Sequence, residues 1–414
     1  MAVEWIDTTI GEQATLQRGI DITKTEQRLG CVPVISSGGV SSYHDTAGVP
    51  GPGVILGRKG VVGSVYYVES DYWPHDTTLW VKDFHGNHPR FVYYFFRWIA
   101  PRIARMDVGS ANPTLNRNHV HPIEIRWPPN AEEQRAIAHI LGTLDDKIEL
   151  NRRMSETLEA MAGTLFKSWF VDFDPVRAKA EGRDPRLPGR LADLFPASLV
   201  DSELGEIPEA WAVGRFSDVV EQLRESEAPL ATPDDRFLHF SIPAFDEGQS
   251  PRIELGESIK SQKSLVPPGV VLLSKLNPEI ERVWLVDVQA GDRAVCSTEF
   301  LVLRPRQPFG RSYTYCLARS PVLRRELEGL VTGTSKSHQR AQPGSILGML
   351  AIRPPPDLVR AFEHPAESFL ARSLECRREA QTLAALRDGL LPRLISGELR
   401  VKGAERFAAQ AVAS

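Results

Sequence analysis

The sequence predicts an α+β protein built twice over: two globular units of mixed strand and helix, each followed by a long helix. Three observations carry this. The chain repeats itself in order along its length. Short runs rich in Val, Ile, Tyr and Phe are cut by Gly and Pro in two separate regions. Two stretches keep a helical apolar stripe far longer than a strand could.

The repeat is clearest in the helices. Arg152, Arg153, Thr157, Leu158 and Ala160 recur as Arg377, Arg378, Thr382, Leu383 and Ala385 at an offset of 225, and Leu165 falls on Leu390. Upstream, Ile125 to Pro129 meets Ile352 to Pro356 at offset 227, Pro52 to Leu56 meets Pro268 to Leu272 at offset 216, and Trp5 meets Trp211 at offset 206. Any one match could arise by chance; their common order argues for a duplication, with insertions in the second copy.

The globular units are expected over residues 1–130 and 201–356. Strands are expected at Val54 to Leu56, Val61 to Val68, Thr78 to Val81, Val270 to Ser274 and Phe300 to Leu303. Helices are expected at Phe91 to Met106 and Tyr313 to Leu327. The first long helix is placed over 131–173, with Asn130 as its cap. Its apolar positions are Ile137, Leu141, Leu144, Ile148, Met154, Leu158, Met161 and Leu165. About 37 helical residues span roughly 55 Å. The flanks are charged, so the narrow stripe fits a helix pair, and Asn151 on the seam is a candidate for setting its register. The second long helix, over 357–402, carries Phe369, Leu370, Leu374, Leu383, Leu386, Leu390 and Leu394, with Pro392 as a late kink or break. Residues 174–200, rich in Pro, Gly and charge, read as a linker, and 403–414 as a loose tail.

Composition excludes several classes of function. Forty-nine basic residues against 53 acidic give a net charge of −4, so nucleic acid cannot be held by bulk positive charge, although local patches remain open. Residues 1–130 hold 12 basic and 12 acidic residues, and 201–356 hold 18 and 21. The four cysteines are far apart, which suggests reduced thiols and neither a zinc site nor a disulfide framework. No signal peptide or membrane span is expected, and the reading is cytoplasmic. Phosphate-loop, dinucleotide, nucleophile-elbow and HExxH signatures are all missing. His119 and His121 lack a third partner at metal spacing. The Pro-Pro pairs after Trp127 and Arg353 lack the flanking residues of a base-methylating loop. No catalytic residue, cofactor or metal is therefore expected.

Two loops in each copy gather cations, amides and glycine. In the first copy these are Arg58, Lys59 and Gly60, flanked by Gly57 and Gly63, and the stretch from Gly109 through Asn112 and Asn116 to Arg117. Glycine allows close backbone approach, cations suit phosphate or guanine, and Asn suits adenine. The corresponding places in the second copy hold Lys275 and Asn277, and Ser335, Lys336 and His338. Solvated polar turns are the competing reading at each.

Further stretches are recognisable. Leu141 to Arg153 (LGTLDDKIELNRR) with Leu165 to Pro175 (LFKSWFVDFDP) resembles the central conserved region of type I restriction-modification specificity subunits. Val200 to Pro208 with Trp211 is similar to the entry of that family's second recognition domain, and Leu386 to Leu399 (LRDGLLPRLISGEL) to its distal conserved helix. The resemblance implies two target recognition domains joined by two long antiparallel, coiled-coil helices, an internal pseudo-two-fold repeat. It implies a non-catalytic subunit that reads a bipartite, asymmetric site in double-stranded DNA, with the helices as spacer. Two methyltransferase subunits and restriction/translocase subunits would be its partners. The helix seam would use Ile137, Leu141, Leu144, Ile148, Leu158, Leu165, Leu374, Leu383 and Leu390. The alternatives are a coiled-coil scaffold that does not bind DNA, and a nuclease, which lacks a lysine suitably spaced from acids such as Asp287, Asp292 and Glu299.

Overall fold

The computed structural model describes residues 4–105, 114–330 and 339–401. The chain divides into two compact units, one of residues 1–149 with 380–414 and one of residues 150–379. Each unit therefore combines a globular domain with segments of both long helices.

In the first unit, Ile6–Thr9 pairs antiparallel with Glu124–Trp127. A four-stranded antiparallel sheet follows in the order Thr15–Arg18, Thr78–Asp83, Gly53–Gly57, Val65–Val68. The second unit repeats this plan. Ala212–Arg215 pairs with Leu350–Arg353, and the sheet runs Val220–Leu223, Phe300–Pro305, Val271–Ser274, Val283–Leu285. The identical strand order explains why matches in sequence kept their order. The units differ in their second sheets, three-stranded in the first and five-stranded in the second, which is where the inserted residues of the second copy are spent.

The long helices are Ala131–Phe170 and Pro356–Ile395, 40 residues each. Asn130 caps the first, its Oδ1 accepting from Glu132 N at 2.8 Å. Within each unit the two helix segments run antiparallel. In the first, Arg387 pairs with Asp145 at 2.6 Å. In the second, Ser155 and Ser373 hydroxyls meet at 2.7 Å while, further along, the Phe166 and Phe362 rings lie 5.6 Å apart.

The apolar stripe does more than join helices. Ile137, Leu141 and Leu390 share one core with Phe91, Phe95 and Trp127 of the first domain, with Leu144 packed against it. The Trp127 ring sits 4.8 Å from Phe95 and 5.1 Å from Phe91. Leu374 lies in the core of the second unit with Leu165 packed against it, beside Phe166, Phe170, Tyr313 and Phe362. Ile148, Leu158 and Leu383 are half-buried. Met161 faces solvent, and Ala162 takes the buried position. Asn151 is fully buried with neither side-chain polar atom hydrogen-bonded among the described residues, an arrangement that costs about 1–3 kcal/mol per unmet group.

Polar ties fix each domain to its helices. Arg90 binds Asp146 in the first unit and Arg311 binds Glu367 in the second at 2.5 Å, each from the first turn of its domain helix but one turn apart along the long helices. Glu159, 8% exposed, receives hydrogen bonds from Tyr315 (2.8 Å), Arg319 (3.0 Å), Ser373 (2.9 Å) and Arg377.

Several expectations are corrected. The 174–200 stretch carries helices Asp174–Ala180 and Gly189–Ala192, and Phe173, Val176 and Phe195 enter the core of the second unit. Its few core-facing apolar residues are spread among charged ones, so composition alone disguised it. The helix expected over Tyr313 to Leu327 is two, Arg311–Arg319 and Pro321–Gly329. Pro321 cannot continue the first, and Ser320 Oγ caps the second by accepting from Leu323 N. Val61 lies outside the strand Val65–Val68, in a turn set by Gly63 at φ +82°. Pro392 does not end the second long helix, which stops at Ile395 before Gly397 at φ +75°. Among the described residues no helix is long and apolar enough to cross a membrane.

Phe362→Ala should lower stability by about 3–5 kcal/mol, since it empties the ring cluster on which the second unit closes. A denaturant midpoint within error of the parent would refute this placement.

His121 generates a second expectation. Its Nε2 accepts from Leu16 N at 2.9 Å, and burial, then the nearby Arg117, holds its pKa below the usual histidine value. The unfolded chain therefore takes up a proton that the folded chain resists. The His121 contribution is complete above about pH 6.5 and declines as pH falls below it. His88 is shifted the same way by burial. Thermal melts between about pH 7.5 and about pH 5.5 should show a smaller loss for His121→Gln than for the parent.

Candidate nucleic-acid interface

The first unit brings the two sequence-predicted loops together. Strand Gly53–Gly57 leaves its sheet at Arg58, and the Arg58 and Lys59 amides both donate to Thr77 O, at 2.8 and 3.1 Å. Leu115 N then donates to Arg58 O at 2.9 Å, and Lys59 forms a β-bridge with Thr114. Arg58, Lys59 and Gly60 thus lie against the segment that carries Asn116 and Arg117.

The second unit builds the same frame. Lys275 N donates to Glu299 O at 2.9 Å, Ala341 N to Lys275 O at 3.0 Å, and Leu276 bridges Arg340. Asn277 N adds a bond to Gln339 O at 2.8 Å. Gly60 and Asn277 occupy equivalent places and both have positive φ, +79° and +47°. Glycine and asparagine are the residues that tolerate this region, so Asn277 has a backbone reason to be there. Its Oδ1 is buried and has no hydrogen bond among the described residues.

Lys59, Gly60, Asn116 and Arg117 are exposed, while Arg58, Lys275 and Asn277 are half-buried. Asn116 also serves the backbone, since its Oδ1 caps helix Arg117–Val120 by accepting from Asn118 N at 3.0 Å. Asn112, Ser335, Lys336 and His338 lie outside the described residues.

The structure adds residues that the sequence did not single out. Arg18 and Asp76 come from strands and turns far away in the chain, yet Arg18 pairs with Asp76 at 2.9 Å and Lys59 lies 4.0 Å from the same carboxylate. Arg58 Nη1 donates to Asp76 O at 3.3 Å. Burial, then the neighbouring Arg18 cation, lowers the Arg58 guanidinium from its usual range, partly offset by Asp76. Three cations therefore crowd one edge. The hairpin turn at Ser37 completes it, since Ser64 and Tyr66 hydroxyls donate to Ser37 O at 2.7 and 3.1 Å. In the second unit Arg340 grips Glu299 through Nε and Nη2, at 2.9–3.1 Å. No spacing rule links Arg18 to Asp76 or Glu299 to Arg340; only the fold does.

Asp21, His75 and Asp76 group their ligand atoms within 4.8 Å of one another. Asp76 already serves Arg18 there, so the group is an ion-pair cluster in character. Of the two histidines weighed as ligands, His121 is used by Leu16 N.

The frame makes a direct prediction. Asn277→Gly should keep stability close to the parent, whereas Asn277→Val should cost about 1–3 kcal/mol by forcing a β-branched residue to positive φ. Equal melting temperatures for the two variants would refute it.

Residues 2–160 match the family described as the type I restriction modification DNA specificity domain. The chain is 25% identical over 332 residues to the type I restriction enzyme MjaIX specificity subunit of Methanocaldococcus jannaschii, covering 75% of this chain and 69% of that one. It is 26% identical over 318 residues to the HindI specificity subunit of Haemophilus influenzae, covering 66% and 68%. The solved S subunit of a type I restriction-modification system from M. genitalium superposes with a TM-score of 0.62 at 13% identity, over 95% of this chain and 96% of that one, a likeness of fold. Residues 2–160 thus carry a type I restriction modification DNA specificity domain, and over 66–75% of its length the chain is similar to specificity subunits of type I restriction enzymes.

Proposed function

We propose that this chain is a non-catalytic subunit that reads a split, asymmetric site in double-stranded DNA, one half with each unit. The observation that carries the reading is the doubled loop frame. Arg58 to Gly60 against Thr114 to Arg117, and Lys275 to Asn277 against Gln339 to Ala341, are the same construction made twice. A frame repeated with different side chains suits two readers of different half-sites. Backbone bonds hold each loop's shape, so the side chains remain available for phosphate and base edges. Two methyltransferase subunits and restriction/translocase subunits would supply the chemistry, and the complex would act on cytoplasmic DNA.

Adenine-methylation mapping of DNA from cells that express the chain with its cognate methyltransferase subunit tests this reading. A two-part motif with a fixed gap, lost when this chain is deleted, is expected. A motif that survives the deletion would end the recognition role. At the residue level, replacing Arg58 and Lys59 with Gln should weaken binding to a duplex that carries the cognate half-site. Unchanged affinity would remove both from the interface.

A further inference from the structure

Each recognition frame hangs on a short turn, and each turn carries an acid. In the first unit Thr78 N closes the turn on His75 O at 2.9 Å, and in the second Phe300 N closes it on Ser297 O at 2.9 Å. The turn supplies the carbonyl that anchors the loop, Thr77 O for Arg58 and Glu299 O for Lys275. It also supplies a carboxylate set lower than the cations it holds. Side-chain exposure is 17% for Asp76 against 57% for Arg18 and 46% for Lys59, and 21% for Glu299 against 49% for Arg340. The two acids are one position apart in the repeat, and their partners come from different segments. The arrangement is therefore shared although the residues are not copied.

We propose that Asp76 and Glu299 are specificity-determining residues that hold the cations of the recognition surface away from DNA phosphates. This rests on the DNA-reading function above. An arginine has five N–H donors in a rigid fork. A carboxylate beneath it occupies part of the fork and fixes its plane, and the outward donors stay free for a base edge. A phosphate that draws the cation away leaves the acid unpaired beside the negative duplex. Non-specific contact is thus penalised at every sequence, while a correctly placed guanine is read with the ion pair intact. Exposed pairs of this kind are weak enough to open without unfolding the domain.

Binding of the full chain to a random-sequence duplex across a salt series tests the proposal. Asp76→Asn should raise non-specific affinity and steepen the log K against log salt slope by about 0.9 for each cation released, up to about 1.8 for Arg18 and Lys59. Glu299→Gln should steepen it by about 0.9, for Arg340 alone. Adding Arg18→Gln to Asp76→Asn should return about 0.9 of that gain. Thermal melts run in parallel separate the alternatives. Variants that melt like the parent with unchanged slope overturn the proposal. So do variants that melt lower and bind more weakly, because a purely structural ion pair would behave that way. If the parent chain itself fails to bind duplex, the DNA-reading function falls, and this proposal falls with it.

Discussion

The apolar contact between each domain and the helix segments of its own unit is the constraint on which the rest depends. In the first unit the core draws Ile10, Leu16, Phe91 and Trp127 together with Ile137 and Leu141, and then with Leu386, Leu390 and Leu394. The domain helix Pro89–Ala104 would otherwise leave a ring-lined face in water. Because that face is closed by residues almost three hundred positions later, the first unit cannot complete its core until the end of the chain has been made. Contacts of such sequence separation are slow to form. The ion pairs Arg90–Asp146 and Arg311–Glu367 orient what the apolar surfaces hold.

Much of this was legible in the sequence. The stripe of Ile137, Leu141 and Leu390 marked both helices, since helical periodicity is a local signal that survives divergence. The ordered matches marked the duplication, and aligning the copies set Arg58 to Gly60 opposite Lys275 to Asn277. What stayed hidden depends on three dimensions or on a choice between two local rules. Asp76 reaches Arg18 only through the sheet. Asn116 can cap a helix or face a base, and its spacing to Asn118 permits the first without excluding the second. Pro392 breaks helices in general, yet near a C-terminus that is packed on both sides the tertiary contacts of Leu390, Leu391 and Leu394 win. The 174–200 stretch looked like a linker because charge outweighs apolar content, although Val176 and Phe195 suffice to anchor it.

The two copies show which parts of the design are interchangeable. Strand order, the terminal strand pair and the arginine tie to the helix are held constant. The positive-φ position is met by Gly60 in one copy and by Asn277 in the other, two solutions to one backbone demand. The second sheet grows from three strands to five with no change in the first.

The bonds from Leu115 N to Arg58 O and from Ala341 N to Lys275 O have a thermodynamic corollary. They pin Leu115 and Ala341, which follow the chain leaving helices Pro89–Ala104 and Pro321–Gly329, to the strand ends where the frame begins. Once both ends are fixed, the entropic penalty of the intervening chain grows only with the logarithm of its length, roughly 0.6 kcal/mol for each doubling. Residues added between a helix end and its pin therefore cost the fold little. The free energy of the fold and the content of what is read become nearly independent variables, and a new target need not be acquired at the expense of a stable protein.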